Sequence, residues 1–136
     1  MDAIKVQGLA DLRRELKKLD LTEDLKEANN RVALLVVDEA QKRARALGRM
    51  EAKAAESLAA GRAQAKATVA FGGTKAPFAL GAEFGAMRYK QFREWRGSGA
   101  TAGYWLYPAI RDETPRIIDV YGDELMRITA KAFPDN

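Results

Sequence analysis

Leucines recur at spacings of three and four near the start of the chain, at Leu9, Leu12, Leu16 and Leu19. Arg13, Arg14, Glu15, Lys17 and Lys18 fill the positions between them. This pattern predicts a short amphipathic helix with one leucine stripe. Asp20-Leu21-Thr22 interrupts it, and Thr22 is suited to cap a second helix over about 23–47. Leu25, Ala28, Val32, Leu35, Val36 and Ala40 form the main stripe of that helix. Residues 32–37 are apolar without a break, so a second face is apolar too. Such a helix either crosses the middle of its own core or docks its outer face on a neighbouring subunit. A strand is the other reading of so short an apolar run. Lys42, Arg43, Arg45 and Arg49 suit a helix C-terminus, and Gly48 is a stop signal.

Residues 50–60 are alanine-rich and helix-prone, with Gly61 as their end. Met50 and Leu58 are their only large apolar side chains, which predicts weak packing. Over 62–71, Ala63, Ala65, Ala67, Val69 and Phe71 alternate with Arg62, Gln64, Lys66 and Thr68. That period of two predicts a strand with one buried face, its alanines admitting a helix across the sheet. Gly72-Gly73 marks a turn. Residues 74–85 read as a short helix or irregular segment, anchored in the core by Phe78, Leu80 and Phe84. A loop over 86–102 follows, then a strand over 103–107 that Pro108 terminates. The last helix is predicted to start at Thr114-Pro115, with threonine at the cap and proline at the first helical position. Ile118, Tyr121, Leu125, Ile128 and Ala132 keep helical spacing, and Gly122 is a candidate kink. Residues 133–136 read as a frayed tail. The expectation is one α+β domain over 1–136: long N-terminal helices, a small mainly antiparallel sheet, and a C-terminal helix packed on it.

The chain has 136 residues, enough to bury roughly two-thirds of its unfolded surface without disulfides or metal. It contains no cysteine and no histidine. Thiol nucleophiles and thiolate metal sites are therefore excluded, and the commonest general base and metal ligand are missing. An enzyme would have to work with carboxylates or lysine. Glu83, set between Ala82 and Phe84, is the one carboxylate in strongly apolar surroundings. It is a candidate base of raised pKa, or else a partner for an arginine or a cap for backbone amides. The glycines do not form a phosphate loop or a dinucleotide fingerprint. No apolar run reaches the length of a membrane span, and residues 1–7 lack an apolar signal core. The expected location is the cytoplasm, or a particle assembled there.

The net charge of +4 allows contact with nucleic acid without demanding it. What concentrates the question is the loop that interleaves Arg88, Tyr89, Lys90, Phe92, Arg93, Trp95 and Arg96. Cations mixed with rings grip single-stranded nucleic acid, and the same residue types are enriched in protein interfaces. Asp112, Glu113, Asp119, Asp123 and Glu124 form an acidic stretch in the same chain. A basic loop and an acidic helix on one protomer can meet head-to-tail around a ring. The two readings are an assembly protein and a small basic nucleic-acid-binding protein.

Two segments carry a family resemblance. Phe78-Ala79-Leu80-Gly81-Ala82-Glu83-Phe84-Gly85 resembles the aromatic-Ala-x-x-x-Glu-Phe-Gly signature of the neck, or tail-completion, proteins of long-tailed bacteriophages. Tyr104-Trp105-Leu106-Tyr107-Pro108-Ala109-Ile110-Arg111 resembles the aromatic-Leu-x-Pro-Ala segment that follows it there. Residues 48–58 depart from the family by lacking its Pro-x-x-Thr-Gly stretch. The resemblance implies a non-enzymatic virion protein at the head–tail junction or the top of the tail, without a cofactor. It implies a ring of identical copies, commonly six, around the channel through which double-stranded DNA leaves without being read for sequence. Other connector, tail terminator and tail-tube proteins would be its neighbours, and a tail terminator is the alternative role. Arg88, Tyr89, Lys90, Phe92, Arg93, Trp95, Arg96, Tyr104, Trp105, Tyr107 and Arg111 are the candidates for subunit contact.

Overall fold

The computed structural model describes residues 21–74 and 76–133. The leucine helix expected over 9–19 and most of the expected tail lie outside the described residues. Helix α1 is Thr22–Leu47, and Gly48 ends it by donating its N–H to the Ala44 carbonyl (3.2 Å). Thr22 is the first helical residue and not the cap; that place falls to Leu21, whose side chain is buried instead. Helix α2, Arg49–Ala55, folds back on α1. Two short strands follow, β1 (Ala59–Ala60) and β2 (Val69–Ala70), paired antiparallel with Ala59 opposite Ala70. Helix α3 is Ala79–Phe84 and helix α4 is Leu106–Ala132. The class is the expected one: a long N-terminal helix, a small antiparallel sheet, and a C-terminal helix packed on the long one.

Helices α1 and α4 form an antiparallel pair with a fixed register. Ion pairs join Asp24 to Lys131 (3.0 Å), Arg31 to Glu124 (2.6 Å) and Arg43 to Asp112 (2.8 Å), so each step forward on α1 is a step back on α4. Such exposed pairs set register more than they stabilise. Both apolar faces foreseen for α1 are used inside the chain: Ala28, Val32 and Val36 are buried, and so are Ala33 and Val37. Leu34 alone of the 32–37 run stands 42% exposed. Two apolar clusters result. The larger gathers Val36, Val37 and Ala40 with Ala54, Ala55, Leu58, Ala79, Ala82, Trp105 and Leu106. The smaller, at the other end of the helix pair, is Leu21, Ala28, Ile128 and Ala132.

Several expectations are corrected. The alanine-rich segment does not pack weakly: Ala54 and Ala55 are buried at the centre, where their small size lets α2 lie close to α1. The strand expected over 62–71 contracts to Val69–Ala70. Ala65 and Ala67 are exposed, since a methyl group gives a strand little to bury. Side-chain amides take the place of ladder partners. Asn29 donates to the carbonyls of Ala63 (2.8 Å) and Gln64 (2.9 Å), and Asn30 to that of Gly61 (3.0 Å). Asn29 is fully buried, and its oxygen accepts the Tyr121 hydroxyl, so all its polar atoms are used. No strand forms at 103–107, because α4 begins at Leu106, nine positions before the expected first helical residue, Pro115. Pro108 stands in its first turn and Pro115 inside it. The Thr114 hydroxyl does not cap; it turns back to the Ile110 carbonyl (2.6 Å).

Candidate functional site

The early start of α4 is explained by one side chain far from it in sequence. Glu83 has no exposed surface, and its carboxylate accepts four backbone N–H groups. Oε1 takes those of Tyr104 (2.6 Å) and Trp105 (3.0 Å). Oε2 takes those of Leu106 (2.6 Å) and Tyr107 (2.9 Å). These include the donors that the first turn of a helix cannot satisfy within itself. Pro108 follows and has no N–H to satisfy. The helical ladder then opens with Ala109 donating to the Trp105 carbonyl (3.2 Å). Every donor at this helix start is accounted for, and the negative charge lies at the positive end of the helix dipole.

Burial pushes the Glu83 carboxyl above its ordinary pKa, while the amides of Trp105, Tyr104, Tyr107 and Leu106 pull against that rise. The four donors fit the ionised carboxylate, because a protonated oxygen would point its own hydrogen at an N–H. All of the side chain's accepting capacity goes to backbone. Of the two roles foreseen for Glu83 as a structural residue, the structure has the amide cap and not the arginine pair. Gly103 makes room for it: its φ is +84°, and a Cβ there would stand 2.7 Å from Oε1. Gly85, at φ +75°, does the same for the loop, since a Cβ would come within 2.2 Å of the Glu94 carbonyl oxygen.

The two segments that carry the resemblance therefore form one unit. Trp105 lies at its centre, fully buried, with its indole N–H on the Ala82 carbonyl (3.1 Å) and Phe71 edge-on at 6.3 Å. Burying about 200 Å² of indole contributes on the order of 5 kcal/mol. Trp105 is thus a core residue, not a surface contact, and Leu80, expected in the core, is 64% exposed. Phe78 packs half-buried against the main cluster as expected. Phe84 is a bridge: its ring meets Tyr107 at 5.0 Å and Trp95 at 6.4 Å.

The basic loop is strapped to this unit at its middle. Arg93 turns inward, donating to buried Glu51 (3.1 Å) and to the Leu47 carbonyl (3.1 Å). Phe92 lies against Gly81, where a Cβ would come within 2.6 Å of the ring. Arg96 stacks on the Tyr104 ring at 4.2 Å, and the Tyr104 hydroxyl donates to the Glu94 carbonyl (2.7 Å). Arg111 holds the loop's end through the Ala102 carbonyl (2.7 Å). Phe92, Arg93, Arg96, Tyr104 and Arg111 accordingly brace the loop. Arg88, Tyr89, Lys90, Trp95 and Tyr107 remain exposed.

Arg88, Tyr89 and Trp95 come together around an open notch of about 330 Å³ lined also by Gly85, Ala86 and Met87. Met87, 81% exposed, is the apolar member that sequence reasoning passed over. A second apolar surface was misread. Ile118 and Leu125, placed on the buried stripe by their spacing, are 65% and 43% exposed, and it is Ile117 that packs against the core. The adjacent Ile117-Ile118 pair was the available signal, since consecutive residues stand about 100° apart on a helix and only one of the two can lie at the centre of a stripe. Among the described residues no helix is long and apolar enough to cross a membrane. The chain matches no family model, no curated protein and no solved structure.

Proposed function

We propose that this chain is a structural subunit of the head–tail junction of a long-tailed bacteriophage or prophage, a neck or tail-completion protein acting without catalysis or cofactor. Identical copies form a ring, six-fold in the family it resembles, through which double-stranded DNA passes. Its other neighbours are connector, terminator or tail-tube proteins, and it is assembled in the bacterial cytoplasm. One observation carries the reading. Glu83 of the first motif caps the helix that starts within the second, so the residues of the resemblance are those that fix the local structure. Around that cap the chain leaves Tyr89, Trp95 and Tyr107 outward, flanked by Arg88 and Lys90, a composition suited to protein contact.

Mass spectrometry of purified particles tests the proposal directly. The chain is expected in particles, and removing its gene is expected to leave filled heads and separate tails that do not join. Finding it absent from particles, with infectious phage made without it, overturns the reading. The exposed cations beside stacked rings also favour a second reading, a small nucleic-acid-binding protein. Affinity for DNA falling on the order of a thousandfold between 50 and 200 mM salt supports that alternative. A connector is expected to bind weakly at either concentration.

A further inference from the structure

The middle of α4 carries apolar side chains that nothing among the described residues covers. Ile118 is 65% exposed, Leu125 43% and Met126 73%. Their spacing with Gly122 puts all four on one outward stripe. A Cβ at Gly122 would meet nothing within 4 Å, so no contact inside the chain requires glycine there. Glycine is nevertheless a poor helix former, and on an exposed stripe it lets a second surface approach the backbone. Asp119 and Asp123, both exposed and one turn apart, edge the stripe. The notch is its counterpart: Met87, Tyr89 and Trp95 are apolar, and Arg88 and Lys90 supply exposed cations beside them.

We propose that the notch of one copy receives the α4 stripe of a second copy of this chain. Leu125 and Met126 fill the notch, an aromatic ring lies over Gly122, and Arg88 and Lys90 face Asp119 and Asp123. Charge argues for this occupant, because Arg88 and Lys90 stand beside the notch and Asp119 and Asp123 beside the stripe. Geometry argues that the contact is between copies. The notch is fixed to the start of α4 through Trp95, Phe84 and Tyr107. Gly122 stands about 22 Å further along the same helix, at 1.5 Å per residue. No copy can therefore place its own stripe in its own notch. A contact between two different surfaces repeats from copy to copy, and closes into a ring where the rotation allows. The inference rests on the reading of the chain as a self-assembling connector and names the surfaces it uses.

The natural chain has no cysteine, so introduced ones report cleanly. Lys90→Cys and Asp123→Cys variants, mixed under oxidising conditions at about 0.1 mM, are expected to cross-link to each other, and neither is expected to do so alone. Arg88→Glu with Lys90→Glu is expected to weaken self-association on the order of a hundredfold by sedimentation, as is Asp119→Lys with Asp123→Lys. Mixing those two charge-reversed chains is expected to restore association. All four positions are exposed, and circular dichroism checks that each variant folds. Failure of the mixed pair to cross-link, or of reversal to be rescued by its complement, overturns the contact. Cross-linking of Lys90→Cys to Leu16→Cys in place of Asp123→Cys overturns it too, because the N-terminal segment is then the occupant. Cross-linking in solution by a chain absent from particles refutes the virion role and leaves the contact standing. A chain present in particles that fails to cross-link there refutes the contact alone.

Discussion

The first turn of α4 and its middle differ in how completely the chain accounts for its own groups. At residues 104–109 each donor has a partner, Trp105 is fully buried, and one carboxylate from α3 holds four amides. At residues 118–126 the helix shows Ile118, Leu125 and Met126 to solvent, and a Cβ added at its one glycine would meet nothing within 4 Å. The same helix is closed at one end and open along its middle. The closed end explains stability. Along the middle, Tyr121 and Glu124 bond inward to α1, while the outward stripe has no partner among the described residues.

The closed end depends most on Glu83. Glu83→Ala leaves the N–H groups of Trp105, Leu106 and Tyr107 without a partner, since Tyr104 keeps the Glu83 main-chain carbonyl, and removes the charge from the helix start. A loss of about 4 kcal/mol is expected, read as a lower midpoint in urea unfolding. Glu83→Gln is expected to recover less than half of it, since its NH₂ must face N–H donors. Trp105→Phe comes next. It strands the Ala82 carbonyl and leaves a void, for about 2 kcal/mol, and the loss is expected in thermal melts of a chain that still folds.

Legibility in the sequence followed the range of the cause. Helix α1 has local causes, a periodic stripe ended by a glycine, and its limits were readable nearly to the residue. The start of α4 has a distant cause. Thr114-Pro115 carries a local start signal, and Pro108 a local stop. Both are overruled by a carboxylate more than twenty positions upstream. Pro115 deprives the Arg111 carbonyl of its helical N–H, a cost of about 3 kcal/mol in an isolated helix that tertiary packing offsets here. The lost strand teaches the converse: its alternation is real, but alternating alanines bury too little to hold a ladder against the amides of Asn29 and Asn30. Of the surface candidates, composition located the loop correctly. It could not tell that Arg93 and Arg96 are tied down by side-chain contacts, because that depends on where Glu51 and Tyr104 lie.

The open middle is sharpened by a change in the other direction. Gly122→Ala meets no atom and improves helix propensity, so the monomer is expected to gain about 1 kcal/mol in thermal unfolding. The same methyl group is expected to weaken self-association. A gain in stability together with a loss of assembly separates a surface kept for a partner from one that is merely tolerated.

The smallest effect lies where α1 crosses the middle of α4. Hydrogen bonding from Arg31 holds the Glu124 carboxyl below its ordinary value of 4.5, with a further contribution from Arg127. A carboxyl lowered in the folded state contributes stability that is present above the unfolded value and is lost as pH falls through the folded one. Glu83 is shifted the other way, so its contribution falls as pH rises from the ordinary value through its raised one. Below pH 4.5, then, Glu124 contributes to the acid-induced loss. Glu124→Gln is expected to flatten the fall of the melting temperature in that range, and Arg31→Ala to flatten it similarly. Both changes are expected to be small, because Arg31 is 46% exposed and solvent screens the pair. A Glu124→Gln variant whose acid limb matches the natural chain's would show that this ion pair sets only the register of the two helices.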